Sequence, residues 1–137
     1  MTIINAAFIQ TIFRPRKDNS HKGNFGHALL IAGNTSKIGA ALIAAKACLR
    51  SGVGLLTVSI SKNDRYTLNT FLPEAMLHFR EKKIDFSHYD VVGIGPGLGT
   101  KKASKQLVEN ALSNAKYPIV IDADALNIIG KNPELFQ

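Results

Sequence analysis

From residue 28 onward, short apolar runs alternate with segments of helical period, and this alternation restricts the fold more than any other feature of the sequence. Ala28 to Ala32 is a continuous apolar run closed by Gly33. A strand covered on both faces of a parallel sheet has this character, whereas a strand with one wet face alternates. Ile38 to Ser51 then places Ile38, Ala41, Leu42, Ala45, Cys48 and Leu49 at helical spacing, with Gly52 as the stop. Leu55 to Ile60 predicts a second strand, Asn63 to Phe71 a short helix ended by Pro73, and Ala75 to Phe79 a weaker third strand. Asp90 to Gly95 is a strand that runs into a glycine-rich turn. Lys101 to Asn114 follows as a helix with Ala103, Leu107, Val108, Ala111 and Leu112 on one face. Tyr117 to Ile121 is a further strand, with Pro118 tolerable only at its start. Asp124 to Ile129 opens a last helix that Gly130 is expected to end, and Ala6 to Phe13 reads as an amphipathic helix before a polar loop. The pattern predicts an α/β domain of three layers around a mostly parallel sheet. Ligands of such sheets bind at the carboxyl ends of the strands.

A chain of 137 residues, 45% hydrophobic and 20% charged, has the composition of one folded domain. Seventeen Lys and Arg against ten Asp and Glu give +7, which favours anionic partners: nucleic acid, a membrane surface or phosphorylated metabolites. The basic residues gather at Arg14-Pro15-Arg16-Lys17, at Lys22, and at Lys101-Lys102 with Lys105. Tryptophan is absent and no aromatic residue interleaves with these clusters, which argues against a nucleic-acid surface. The apolar stretch Ile38 to Leu49 is broken by Lys46 and too short to span a bilayer, so no membrane partner is expected. The single cysteine, Cys48, excludes an intramolecular disulfide and lies on an apolar helix face, where it reads as core. A reduced, cytoplasmic compartment is the expectation.

Four segments carry candidate chemistry. Gly93-Ile94-Gly95-Pro96-Gly97-Leu98-Gly99-Thr100 joins a strand to a helix, where a phosphate cradle belongs. It fits neither the dinucleotide fingerprint nor the G-x-x-x-x-G-K-[ST] loop, and a tight turn needing left-handed residues would account for part of it. The junction from Gly33 to Ala41 carries small residues at Gly39, Ala40 and Ala41, continued by Ala44 and Ala45. That run suits either a flat ligand or close helix–sheet packing. Lys22, beside Gly23, is a candidate phosphate contact, while His21 and His27 read as loop residues without metal-ligand spacing. In Asp122-Ala123-Asp124-Ala125-Leu126-Asn127, Asp124 is expected to cap the helix, leaving Asp122 and Asn127 as site candidates. Ser87-His88-Tyr89 reads as a polar loop without a triad partner.

In chain order stand Arg16, Ser20-His21-Lys22-Gly23-Asn24-Phe25-Gly26, Gly33 with Gly39-Ala40-Ala41, and Arg50-Ser51-Gly52-Val53-Gly54-Leu55-Leu56-Thr57-Val58. Pro73-Glu74-Ala75-Met76, Gly95-Pro96-Gly97-Leu98-Gly99 and Asp122-Ala123-Asp124-Ala125-Leu126-Asn127 follow. From residue 14 on, this series resembles the amino-terminal half of the ADP/ATP-dependent NAD(P)H-hydrate dehydratases, a carbohydrate-kinase-like domain often fused behind an epimerase domain. The resemblance implies a ribokinase-like fold and repair of nicotinamide nucleotides. In that reaction ADP or ATP, with Mg²⁺, phosphorylates the hydroxyl of the S epimer of hydrated NADH or NADPH, and loss of phosphate restores the reduced cofactor. Carried over residue by residue, it implies that Ala40 and Gly97 contact the hydrated nucleotide. Gly95 and Gly99 would shape the turn, and Lys22, Asp122 and Asn127 would lie near the pocket. No metal ligand is implied.

The family's Thr-Pro-His-Pro-Gly-Glu segment and its Gly-Thr-Gly-Asp motif, whose aspartate is the base, do not occur in these residues. The chain is therefore expected to represent part of one ribokinase-like domain, to lack a catalytic residue, and to be inactive and oligomeric by itself. The alternative on the same fold is a small-molecule, carbohydrate-type kinase.

Overall fold

A computed structural model describes residues 3–13, 15–114 and 116–136; Arg14 of the first basic cluster lies outside them. Among the described residues five strands are seen: β1 His27–Ile31, β2 Leu55–Ile60, β3 Met76–Phe79, β4 Val91–Ile94 and β5 Ile119–Ile121. The helices are α1 Ala6–Ile12, α2 Ile38–Arg50, α3 Arg65–Phe71, α4 Lys102–Asn114 and α5 Ala123–Lys131. The strands lie in the order β3-β2-β1-β4-β5, and all four pairings are parallel. This is the three-layer parallel sheet expected from the sequence.

The apolar runs sort themselves between two cores. Leu30 of β1 and Ala32 just after it point to one face with Leu56, Val58 and Ile60 of β2, under Ala41 and Ala45 of α2 and Leu68 of α3. Leu29 and Ile31 point to the other with Val92 and Ile94 of β4, under Val108 and Ala111 of α4 and Ala125 and Ile128 of α5. Both faces of β1 are dry, which is why its run is apolar without alternation. Parallel crossovers keep one hand, so reversing the winding direction moves the helices to the opposite face. The reversal falls between β1 and β4, which makes the loops after these two strands the switch point where ligands of such sheets bind.

Two local expectations are corrected. Gly130 does not end α5: it keeps helical backbone, and the helix stops at Asn132, whose side-chain amide donates to Ile128 O at 2.7 Å. His27 is no loop residue but the first of β1; its Nε2 lies 2.8 Å from Thr57 Oγ1 and its ring meets Tyr89 edge-on at 4.7 Å. The expected α1 helix forms, capped by Asn5; it buries none of its residues, so its apolar side finds no cover among the described residues. Cys48 packs beside the α2 core, as its helical position predicts, and burial pushes its thiol pKa up.

Candidate functional site

The loops after β1 and β4 are stitched to each other. Gly33 N–H donates to Pro96 O at 2.7 Å and Gly95 N–H donates to Ile31 O at 3.1 Å. Gly95, with φ of 131°, lies so close to the end of β5 that a Cβ there would sit 1.8 Å from the carbonyl oxygen of Asp122. Only glycine allows that approach. Gly97, with φ of 64°, seats its backbone on α2: a Cβ would come within 2.7 Å of the Ala40 Cβ and 2.8 Å of Lys37 O. Two residues 57 positions apart are thus brought face to face, and they are the pair assigned to the nucleotide by resemblance. Gly99 completes the turn at φ of 77°.

The donors of this turn are largely engaged. Gly95 N–H is bonded as above, Leu98 N–H donates to Gly95 O at 3.0 Å, and Gly99 N–H donates to Asp124 Oδ2 at 2.7 Å. Pro96 has no N–H to offer. Gly97 N–H remains without a partner among the described residues. A free backbone donor beside a small-residue floor is the chemistry expected of a contact to an anionic or carbonyl-bearing ligand. Much of the glycine content is explained by packing, and one donor is left over.

Asp124 is a correction to the sequence reading. The residue at the helix cap is Asp122, whose backbone is extended and whose side chain makes no capping bond. Asp124 lies inside the first turn of α5. Ala123 between them adopts φ of 46°, a left-handed backbone that an alanine adopts only at a cost of about 1–2 kcal/mol. The carboxylate of Asp124 accepts from Gly99 N–H and pairs with Lys37 Nζ at 3.3 Å. The Gly99 hydrogen bond, ahead of the Lys37 bond and charge and a bond from Asn127, holds its pKa below the usual carboxylate range. Asp124 thereby ties α5 to both switch-point loops. Sequence spacing alone could not assign it, because Asp122 and Asp124 are equally plausible caps until the backbone between them is known.

The run of small residues divides by role. Ala41 and Ala45 are fully buried against the sheet, and a Cβ on Gly33 would lie 3.0 Å from that of Ala41. Gly39 has open space where a side chain would be, and Ala40 meets Gly97. Close packing accounts for the first set and leaves the second for a ligand. Asp122 and Asn127 are exposed at the same end of the sheet. Lys22 is not brought to this cluster. It opens a 3₁₀ turn, Lys22–Phe25, at the amino end of the strands, where its carbonyl is 1.6 Å from the place of a Cβ on Gly54. The five residues of β1 separate it from the switch point by roughly 15 Å. Arg16 is structural: it donates to Gly52 O at 3.1 Å and lies 4.3 Å above the Phe25 ring. Lys105 is likewise engaged, with Asn132 and with Glu134 at 3.4 Å. The described residues form no helix long and apolar enough to cross a membrane.

The chain matches the family model described as NAD(P)H-hydrate dehydratase over residues 28–137. An ADP-dependent (S)-NAD(P)H-hydrate dehydratase of Listeria monocytogenes is 36% identical over 126 residues, covering 86% of this chain and 46% of that protein. A bifunctional NAD(P)H-hydrate repair enzyme of Escherichia coli is also 36% identical, over 88% of this chain and 24% of its own length. Among solved structures, a ribokinase-like superfamily protein of Enterococcus faecalis superposes with a TM-score of 0.83 at 31% identity, over 87% of this chain and 44% of that one. An ADP/ATP-dependent NAD(P)H-hydrate dehydratase of Bacillus subtilis, co-crystallized with ATP and Mg²⁺, gives 0.79 at 33%, over 88% and 45%. The chain spans about half the length of its single-function dehydratase relatives, or less. With a ribokinase-like sheet, a glycine turn seated on Ala40 and a family match over most of its residues, the chain belongs to the NAD(P)H-hydrate dehydratase family.

Proposed function

We propose that this chain forms the substrate side of an ADP/ATP-dependent dehydratase that acts on the S epimer of hydrated NADH or NADPH. The observation that carries the reading is the Gly97 turn, its N–H free, laid against Ala40 at the switch point. The small residues give a floor for the flat nicotinamide end, and Asp122 and Asn127 stand exposed at its rim as polar contacts. Asp124 fixes the turn and does not touch the substrate, since its carboxylate is engaged by Gly99 and Lys37.

In the proposed reaction the nucleotide's terminal phosphoryl group passes to the ring hydroxyl oxygen, which then leaves as phosphate while the ring loses a proton. These residues supply binding and orientation. The Gly-Thr-Gly-Asp base is not among them, so we assign them no proton transfer. Among the described residues no three His, Cys, Asp or Glu side chains gather to hold a metal ion. An epimerase, fused or separate, is the proposed functional partner, in keeping with the bifunctional relative in E. coli. Self-association is proposed as well, supported by the uncovered apolar side of α1.

The test is calorimetry with the S epimer of hydrated NADH, followed by a turnover assay with ADP and Mg²⁺. Saturable binding without formation of NADH is expected of residues 1–137. Absence of binding would remove the substrate assignment, and full turnover would show that the base lies within this chain.

A further inference from the structure

On the face of the sheet that carries α4, at the carboxyl ends of β1 and β2, the chain surrounds a cleft of about 1120 Å³. Its walls are residues 34–37, residues 80–84 after β3, the turn 98–101 and one side of α4 as far as Asn110. Lys37, Arg80, Lys82, Lys83 and Lys101 line it against one carboxylate, that of Glu81. Lys37 is paired with Asp124, but Arg80, Lys82, Lys83 and Lys101 have no ion-pair partner among the described residues. Like charges gathered around a concave surface repel one another and raise the local concentration of anions.

Arg80 is fixed at the back of this cleft. Its Nε and Nη2 donate to Ser59 O at 3.2 and 2.9 Å, and Nη2 also donates to Ala32 O. Nη1 donates to nothing among the described residues. Burial lowers the pKa of the guanidinium from its ordinary value, and Asp64 and Glu81 oppose that shift. Arginine nevertheless stays protonated, and with Nε and Nη2 bound to backbone carbonyls the remaining nitrogen, Nη1, is a charged donor held in one orientation for a phosphate oxygen.

We propose that this cleft binds the phosphate groups of a nucleotide, with Arg80 as the fixed contact and Lys82, Lys83 and Lys101 as mobile ones around it. At about 1120 Å³ the cleft is slightly larger than the roughly 300–1,000 Å³ of small-molecule sites and has room for a nucleotide. No aromatic side chain lines the cleft, so it offers no stacking platform for a single strand of nucleic acid. Leu98 and Gly99 belong both to its wall and to the turn that seats Gly97. The nucleotide concerned is therefore the hydrated dinucleotide, and on that identification the proposal rests on the reading given above. Its pyrophosphate would reach the cleft while its nicotinamide end occupies Ala40 and Gly97.

Inorganic pyrophosphate and NADP⁺ are titrated separately into the native chain, into Lys82→Gln/Lys83→Gln/Lys101→Gln, and into Arg80→Lys. The three lysines are exposed, so the triple variant is expected to unfold at the native temperature. It should weaken pyrophosphate at least about tenfold, that is by about 1.4 kcal/mol. Arg80→Lys keeps the charge and removes the fixed Nη1 donor, and should weaken pyrophosphate as well. Equal pyrophosphate affinity in native and triple variant would overturn the cleft as a phosphate site, whatever NADP⁺ does. A parallel loss for NADP⁺ supports the full proposal. Pyrophosphate binding that responds to the lysines, with no NADP⁺ binding at all, would keep the phosphate site and refute the dinucleotide reading. An oligonucleotide that binds more tightly than NADP⁺ and is lost in the same variant would overturn the small-ligand assignment.

Discussion

Replacing Asp124 by Ala removes the bond that joins α5 to the Gly99 turn and the Lys37 loop. The hydrogen bond from Gly99 N–H is charge-assisted at 2.7 Å, with the Asp124 side chain 16% exposed. Such bonds contribute about 1.5–3 kcal/mol. The Lys37 pair adds little, because that lysine is 54% exposed at 3.3 Å and exposed pairs are worth ~0–1 kcal/mol. A total loss of about 2–3 kcal/mol is expected, lowering the unfolding midpoint by roughly 6–10 °C for a domain of this size. Asp124→Asn keeps an acceptor for Gly99 and should lose about half as much. The folded carboxylate has a lowered pKa, so between the folded and unfolded values the unfolded chain holds more protons and stability rises with pH. The contribution is complete above the ordinary aspartate value of about 4 and disappears as pH falls through the lower folded value. Calorimetric melts of native, Asp124→Ala and Asp124→Asn at neutral pH and in the acid range measure both effects. A midpoint for Asp124→Ala within 1–2 °C of native, against roughly 6–10 °C expected, would show that the turn holds without its carboxylate.

Gly95→Ala places a Cβ 1.8 Å from the Asp122 carbonyl and should cost more than about 4 kcal/mol, seen as loss of a cooperative melt; a native-like midpoint would contradict the geometry. His27 is held below its ordinary pKa chiefly by burial, so the unfolded chain binds the extra proton and stability should fall as pH drops through about 6.5. Denaturant titrations should show that dependence shrinking in His27→Gln, and an unchanged profile would remove His27 from the account. Ile12→Ser/Phe13→Ser, on the uncovered end of α1, where the side chains are 61% and 67% exposed, should reduce the sedimentation coefficient without changing the melt. A native chain that already sediments as a monomer refutes the self-association.

Strand β2 was legible to the residue, because a short run rich in apolar and β-branched residues, with Thr57, Val58 and Ile60, lies between Gly54 and Ser61 and leaves one placement. At β3 the run Ala75 to Phe79 is diluted by Met76 and His78, and as an edge strand it has fewer apolar partners to demand. The switch point was readable as two glycine-rich junctions, but which glycine serves packing and which a ligand was not. Gly95 answers to Asp122 O, and Gly97 to Ala40, through contacts across the fold that have no sequence signature. Asp122 and Asp124 were exchanged for the same reason: one left-handed residue, Ala123, decides which carboxylate turns toward Gly99. The cluster of Arg80, Lys82 and Lys83 carries no sequence signal of its own, because it follows an edge strand and only tertiary structure sets it opposite Lys101. Lys22, which motif order places beside the nucleotide residues, stands at the far end of the sheet, because chain order does not record the direction of a strand.

The central claim is that the two switch-point loops of this chain receive the hydrated nicotinamide nucleotide. Backbone amide shifts recorded while the S epimer of hydrated NADPH is titrated into isotope-labelled chain test it most directly. The account predicts saturable shifts, with Gly97 N–H among the largest, grouped at Gly39-Ala40, Gly95 to Gly99 and Asp122 to Asn127, and extending to residues 80–83. Shifts confined to the amino end of the sheet around Lys22, or none at saturating ligand, would contradict it.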